Sequence, residues 1–328
     1  MSGALRITSP GPQATVQDWP GRLGRLADGV SAAGPFDHLA HRLANLLAGN
    51  DASAATLEIT LGGLRATFSE PATIALAGTD AQATLDGEPL APWASHAVHE
   101  GAELRMRMSR GPGFRAYLAV AGGIATEPVL GSRATHTLAA MGGLEGRALA
   151  KGDELALGGD GGDPHAAAGR RLRDDVVPAY PHEWEIDVIR GPQADPDYLT
   201  ADDVAGLFGR ALKVDANSNR LGLRLEPTSF AWARRGGGIA GGHPSNILDD
   251  GYPPGGINMN GDTPVVLGPD GPTSGGFVVI ATVVQSSFWR LGQVRPGTDA
   301  LRLREVTVAQ AAEGAAALDA LIGEESVA

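Results

Sequence analysis

Alternating apolar and polar positions dominate this chain and predict β-strands. Leu57–Leu61 and Leu64–Phe68 each place every second side chain on one face, as half-buried strands do. Gly62 and Gly63 lie between them and supply the positive φ of a tight turn, so we expect a hairpin here. Strand-like patterns recur in five further segments: Ala72–Ala77, Glu103–Met108, Arg115–Val120, Trp184–Ile189 and Ala300–Arg304. The sequence therefore predicts a mainly β fold.

Helical periodicity is limited to three segments. Asp37–Leu47 starts with a residue typical of an N-cap, repeats leucine at helical spacing and stops before Gly49. Thr200 opens a capping-box variant and predicts a short second helix. An alanine-rich helix is expected from Thr307 to near Gly323. The fold should therefore contain only a few short helices.

The length of 328 residues suits two domains, since single cores stop growing near about 250–300 residues. Residues 158–183 combine Gly, Ala, Pro and mixed charge without an apolar period. We interpret this segment as a linker between residues 1–157 and residues 184–328.

Short sequence echoes link the two halves. Gly11-Pro-Gln13 recurs as Gly191-Pro-Gln193, and Val129-Leu-Gly131 recurs as Val266-Leu-Gly268. A duplicated β-barrel gives this pattern, and so do chance matches in a chain with 47 glycines and 22 prolines.

Composition excludes several functions. The net charge of −12 argues against a nucleic-acid partner, and the absence of cysteine excludes disulfides, thiolate metal sites and a cysteine nucleophile. No apolar run is long enough for a membrane span and no signal-like segment is present, so we expect a cytoplasmic protein. Lys151 and Lys213 are the only lysines, and neither lies in an ATP-binding or biotin-attachment motif.

The histidines and the glycine-rich loop give weaker signals. His38 with His41, and His96 with His99, lack a third ligand at motif spacing, so we predict no metal site. Gly236–Gly241 formally matches a dinucleotide-binding motif, but the proline after His243 prevents the required helix. The loop is either a plain flexible connection or a nest of backbone amides for an anion.

Two dense polar turns lie between apolar strands of the second half. They contain Asn258, Asn260, Asp262, Asp270, Thr273 and Ser274. Turn preference alone explains such residues, yet loops held by rigid strands are also where binding groups lie. Ser274 lacks the Gly-x-Ser-x-Gly elbow, which argues against a serine nucleophile.

Many spaced motifs resemble the allophanate hydrolase subunit 2 family, which includes subdomains A and B of the urea carboxylase carboxyltransferase and the C-subunit of 5-oxoprolinase. The resemblance covers nearly the whole chain. It rests on Thr15-Val-Gln-Asp18, Gly34-Pro-Phe-Asp37, Leu57-Glu58, Leu130-Gly-Ser132, Gly146-Arg147, Gly152-Asp153 and Asn219-Arg220-Leu-Gly222. It implies two cyclophilin-like β-barrels, with carboxyltransferase subdomain A over residues 1–157 and subdomain B over residues 184–328.

The C-terminal motifs look closer to urea carboxylase than to oxoprolinase subunits. They are His243-Pro-Ser-Asn246, Asn258-x-x-Gly-Asp262-x-Pro264, Gly268-Pro-Asp-Gly-Pro272 and Trp289-x-Leu-Gly-Gln293. Met259-Asn260 departs from the aromatic residue and threonine expected there. The family would transfer a carboxyl group from carboxybiotin, carried on a separate chain, to a urea- or guanidine-like nitrogen.

The resemblance also implies a set of site residues. Asn246 would bind the acceptor amide, with His243 and Asn258 nearby and Asp262 or Asp270 orienting them. Gly241, Gly242 and Ser245 would let the backbone approach the ligand closely.

The resemblance also implies a partner subunit, called the C/D partner because it supplies the C and D halves of the carboxyltransferase. This partner resembles allophanate hydrolase subunit 1, and it would complete the active site with a lysine and an aspartate. Further partners would be a biotin carboxylase with its carrier, or a lactam-utilisation subunit. Two alternatives stay open: the C-subunit of an ATP-dependent 5-oxoprolinase, and a non-catalytic regulatory module. No amidase signature is present, so the chain should not hydrolyse allophanate.

Overall fold

A computed structural model describes residues 3–159 and 162–328 of the protein. The chain divides into two compact units: residues 3–22, 33–159, 162–180 and 318–328 form the first, and Leu23–Ala32 with Pro181–Ala317 form the second. The described residues form twenty strands and four α-helices, which confirms the mainly β prediction. No helix in the described ranges is both long enough and apolar enough to cross a membrane.

The first unit contains a six-stranded and a five-stranded sheet, both antiparallel. The six-stranded sheet consists, in spatial order, of β11 (Glu154–Ala156), β1 (Ala4–Pro10), β4 (Leu64–Phe68), β9 (Glu103–Arg105), β6 (Thr84–Leu85) and β7 (Glu88–Pro89). The five-stranded sheet consists of β2 (Gln13–Gln17), β3 (Thr56–Thr60), β10 (Arg115–Val120), β5 (Ala72–Gly78) and β8 (Ala94–Val98). Apolar side chains of both sheets share one buried core.

The expected hairpin between β3 and β4 is wrong, because the two strands lie in different sheets. Gly62 and Gly63 have φ of +84° and +79° and lead the chain from one sheet to the other. A Cβ on Gly62 would overlap the carbonyl oxygen of Arg107. The two glycines therefore make a turn as predicted, but the turn connects layers.

The helix predicted at Asp37–Leu47 is confirmed as α1 (His38–Ala48), which packs against β5 and β10. The Asp37 carboxylate accepts a hydrogen bond from the Ala40 N–H at 2.9 Å, and Gly49 ends the helix with φ of +76°. These contacts are the N-cap and the left-handed C-terminal residue that the sequence indicates.

Several motif residues of the first half form a buried polar network. The Glu58 carboxylate accepts hydrogen bonds from the Phe36 N–H at 2.8 Å, the Tyr117 hydroxyl at 2.7 Å and the Arg115 guanidinium at 3.1 Å. Burial lowers the pKa of His41 to about 3, which keeps this ring neutral. The network stabilises the interior of the first unit.

Asp18 has a similar structural role near the 132–134 segment. Its carboxylate accepts hydrogen bonds from the Ser132 hydroxyl and from the N–H groups of Arg133 and Ala134. The Asp18 and Ser132 motifs, which are far apart in the sequence, are therefore in direct contact in the structure.

Residues 162–180, which the sequence analysis assigns to a linker, belong to the first unit. Leu172 is buried, and the Ser95 N–H donates to the Arg170 carbonyl at 2.8 Å. Residues 160 and 161 of the expected linker lie outside the described residues. The assignment of residues 1–157 and 184–328 to subdomains A and B stays a prediction.

The second unit contains a seven-stranded sheet and a two-stranded ribbon. The sheet consists of β13 (Ala211–Lys213), β20 (Ala300–Glu305), β12 (Glu183–Arg190), β19 (Val279–Val283), β16 (Gly256–Asn260), β17 (Thr263–Leu267) and β14 (Gly222–Arg224). The ribbon pairs β15 (Asn246–Gly251) with β18 (Ser274–Phe277). The helices are α2 (Ala201–Phe208), with the predicted capping box, α3 (Gln285–Leu291) and α4 (Val308–Ala320), whose last three residues belong to the first unit.

The strand pairings of the described residues leave each sheet open, with a strand at either edge. Closure into two barrels and duplication therefore stay predictions. Val129-Leu-Gly131 forms an exposed turn, whereas Val266 and Leu267 lie buried in β17, so this echo joins segments of different structure. Gly11-Pro-Gln13 and Gly191-Pro-Gln193 both follow the first strand of their unit.

Candidate functional site

All eight residues predicted for the site lie in the second unit, and the structure separates them into three places. The loop cluster, which we define as residues 232–246 with Asp262, contains His243, Ser245, Asn246, Gly241 and Gly242. Asn258 lies in the wall of a nearby cavity, and Asp270 lies in a buried ion pair.

His243 is held by a local turn. The Ser245 N–H donates to His243 Nδ1 at 3.1 Å, and the Ser245 hydroxyl lies 2.9 Å from the same nitrogen. Because Nδ1 accepts, the proton of the neutral ring is on Nε2, which lies 3.8 Å from Asp262 Oδ1. Ser245 is completely buried, so its hydroxyl orients the ring and is not exposed as a nucleophile.

Trp232 connects the other members of the loop cluster. Its indole N–H donates to Asp262 Oδ1 at 3.0 Å, and its ring contacts His243 edge-on with centroids 5.5 Å apart. The Asp203 carboxylate accepts from the Trp232 N–H at 3.0 Å. Burial acts to raise the pKa of Asp203, but this bond and those from Ala231 and Thr200 lower it overall.

Arg234 ties the glycine-rich loop to Asn246. Its guanidinium donates to the carbonyl oxygens of Pro244 and Asn246, each at 2.6 Å, and lies 4.3 Å from the Tyr198 ring centroid. Through these bonds Arg234 fixes the backbone at Pro244 and Asn246.

The glycines of this loop lie directly against Asn246. A Cβ on Gly237 would overlap the backbone and Cβ of Asn246, and a Cβ on Gly241 would overlap its side-chain amide. Gly241 also has φ of +138°, which favours glycine. The close backbone approach expected of this loop is therefore an approach to Asn246.

Asn258 borders a cavity of about 380 Å³ beside β14, β16, β17 and β18. Its side chain lies near the Tyr252 hydroxyl, which donates to the Phe277 carbonyl at 2.9 Å. Asn258 Oδ1 is buried and accepts no hydrogen bond from the described residues. Asn217, Asn219 and Asn260 also line this amide-rich cavity, and apolar walls come from Leu221, Val265, Leu267 and Phe277.

Asn246 and Asn258 both pair with residues of the segment 277–279. Asn246 pairs with Phe277, and Asn258 pairs with Val279.

Asp270 lies in a buried ion pair with Arg220. Its two carboxylate oxygens accept from Nε and Nη2 of Arg220, both at 2.8 Å, and both side chains are buried. The expectation that Asp270 orients a substrate-binding asparagine therefore has no support from these contacts. The contacts indicate a structural ion pair.

A family model for the carboxyltransferase domain, subdomains A and B, matches residues 28–305. The chain belongs to this carboxyltransferase family. The resemblance inferred from the sequence motifs is thereby confirmed.

Curated relatives of this carboxyltransferase domain fall into two groups. Urea amidolyase of Lachancea kluyveri is 40% identical over 308 residues, which are 90% of this chain and 16% of that protein. The C-subunit of 5-oxoprolinase from Escherichia coli K12 is 35% identical over 303 residues, which are 89% of this chain and 88% of that protein. Among solved structures, urea carboxylase of Kluyveromyces lactis matches 99% of this chain and 30% of its own with a TM-score of 0.92 and 33% identity. The chain thus spans less than a third of these urea-enzyme relatives.

Proposed function

We propose that this carboxyltransferase domain moves a carboxyl group from carboxybiotin to the nitrogen of a small urea- or guanidine-like amide. The observation that carries the proposal is the match of nearly the whole chain to a urea carboxylase at a TM-score of 0.92. The loop cluster and the amide-rich cavity supply groups suited to a planar amide.

The residues of the amide-rich cavity fit a ureido group, which is the reactive part of biotin and also the whole of urea. The side-chain amides of Asn217, Asn219 and Asn260 line this cavity and offer both donors and acceptors, which a ureido group needs. The apolar walls suit the flat faces of such a group. Carboxybiotin, when bound, supplies a carboxyl group already attached to a ureido nitrogen, and its carrier is a separate chain.

Asn246 is proposed to bind the acceptor amide. One asparagine side chain offers both an acceptor for an N–H and a donor for a carbonyl oxygen, which is the complement of an amide. Its backbone is fixed by Arg234 and by the glycine loop, so the side chain is anchored before a ligand arrives. Such anchoring favours the reacting geometry.

His243 and Asp262 are proposed to control a proton beside the acceptor. The Nε2–H of His243 is a donor directed by the hydrogen bonds of Ser245 at the opposite nitrogen. Asp262, held by Trp232, stabilises positive charge on that ring. Gly241 and Gly242 contribute through the backbone that surrounds Asn246.

The C/D partner is proposed to dock beside the loop cluster. Ile239 and Leu248 are 91% and 72% exposed, respectively. In the described part of the chain β15 pairs with β18 on one side only, which leaves its other edge open. An apolar surface beside an open strand edge suits a protein partner better than water.

Leu248→Glu is expected to weaken association with a subunit 1-like partner by about tenfold or more, because a buried apolar contact would be replaced by a charge. The affinity can be measured by surface plasmon resonance with the purified partner. Leu138→Glu is the matched control, since Leu138 is a 75% exposed leucine of the first unit. Equal affinities for the Leu248 variant and the unmodified chain would contradict the docking site.

A second candidate function, that of the C-subunit of a 5-oxoprolinase, is favoured by 35% identity over 303 residues to the Escherichia coli protein. Reconstitution separates the two functions. With a subunit 1-like partner, a biotin carboxylase and its carrier, we expect urea- or guanidine-dependent ATP hydrolysis that avidin abolishes. Turnover of 5-oxoproline with a lactam-utilisation subunit, insensitive to avidin, would overturn the carboxyl-transfer proposal.

A further inference from the structure

A cavity of about 1300 Å³ borders the six-stranded sheet of the first unit and has an unusual charge. Its wall contains four basic side chains, Arg65, Arg105, Arg107 and Lys151, and two acidic ones, Asp80 and Glu103. The whole chain has 38 acidic and 26 basic residues. The cavity wall therefore carries a net positive charge, whereas the chain as a whole is negative.

Strand register brings two of these arginines together. Arg65 on β4 lies directly opposite Arg105 on β9, while the neighbouring Ala66 and Leu104 are buried in the core. Residues that lie opposite each other in a sheet share one face, and like charges in this arrangement destabilise it. A bound anion would remove that repulsion.

The acidic residues of the wall neutralise only part of the basic charge, since Glu103 pairs with Arg105 and attracts Arg65 electrostatically. Glu103 accepts from the Arg105 guanidinium at 2.7 Å, and Asp80 accepts from the Gln82 N–H at 2.7 Å. Within residues 3–159 and 162–328, the side chains of Arg65, Arg107 and Lys151 make no hydrogen bond or ion pair. Three cations consequently face one cavity without a carboxylate bonded to them.

We propose that this cavity binds a small organic ligand with at least two oxyanion groups, phosphates or carboxylates. Guanidinium groups match the paired oxygens of such anions, and three unpaired cations exceed what one oxyanion neutralises. Leu90, Met106 and Met108 line the same cavity and offer apolar contact to the body of the ligand. This binding site goes beyond the proposed carboxyl transfer and does not depend on it.

Calorimetric titration of the full chain with pyrophosphate and with citrate, each against sodium chloride of equal ionic strength, tests the site. We expect one bound molecule per chain. Arg65→Gln and Arg107→Gln should each weaken binding by about tenfold or more, because each removes a charge-assisted contact. The control Arg171→Gln removes an exposed arginine of the same unit that pairs with Asp174, and should leave binding unchanged.

Thermal unfolding at low salt without added anion gives a second readout. Arg65→Gln should unfold at the same or a higher temperature than the unmodified chain, because it removes the repulsion from Arg105. Tighter binding of pyrophosphate would identify a phosphate ligand, and tighter binding of citrate a carboxylate. Failure of both anions to bind, or equal binding by the two cavity variants and the control, would overturn the proposal.

Discussion

Asn246→Ala is expected to lower kcat/KM for carboxyl transfer in the reconstituted complex by about 10²–10³-fold, the loss typical of removing one positioned donor at a reacting centre. The fold should survive, because the Arg234 bond is made to the backbone oxygen of residue 246 and not to its side chain. Turnover can be measured as acceptor-dependent release of phosphate from ATP, with circular dichroism as the check on folding.

Two further variants define the role of Asn246. Asn246→Asp keeps the shape and an acceptor oxygen but loses the amide donor, so it should be impaired as well. Glu313→Ala changes an exposed residue of α4 in the same unit and should retain activity. Full activity of Asn246→Ala would refute the assignment of the acceptor site.

Asp270→Ala is expected to destabilise the second unit by about 3–5 kcal/mol, since it leaves the Arg220 guanidinium buried without its carboxylate. Differential scanning calorimetry should show a lower melting temperature for this variant. Any loss of activity should follow the loss of folded protein, with kcat of the remaining folded enzyme near that of the unmodified chain.

A paired replacement separates this structural role from a binding role. Arg220→Met combined with Asp270→Leu removes both charges and should recover most of the lost stability, because buried ion pairs are replaced by apolar residues at little cost. A stable but inactive double variant would show that Asp270 acts on substrate after all. A melting temperature unchanged in Asp270→Ala would contradict the ion-pair interpretation.

Local signals predict the elements well and their partners poorly. The Asp37 cap, the Thr200 capping box and the alternation of Leu64–Phe68 depend on residues within a few positions, and all three elements are present. The hairpin at Gly62-Gly63 is wrong because a turn signal does not specify which strands pair, and β3 and β4 join different sheets.

In the candidate site, too, contacts between residues close in sequence are predictable and contacts between distant residues are not. The association of His243, Ser245 and Asn246 is local and follows from their spacing. The partner of Asp270 lies 50 residues away, so its burial in an ion pair leaves no trace in the local pattern. Trp232 belongs to none of the motifs found in the sequence. Its hydrogen bond to Asp262 joins residues 30 positions apart, so it depends on the tertiary structure.

The packing of Gly237 and Gly241 against Asn246 changes how saturation mutagenesis of this loop should be interpreted. Glycine-rich segments are usually treated as flexible spacers that accept many sequences, but a methyl group at either position would displace the asparagine. Loss of activity in such variants would report a moved neighbour and not a missing functional group. Randomised libraries that aim to alter acceptor preference should therefore keep residues 237 and 241 constant and vary the surrounding walls.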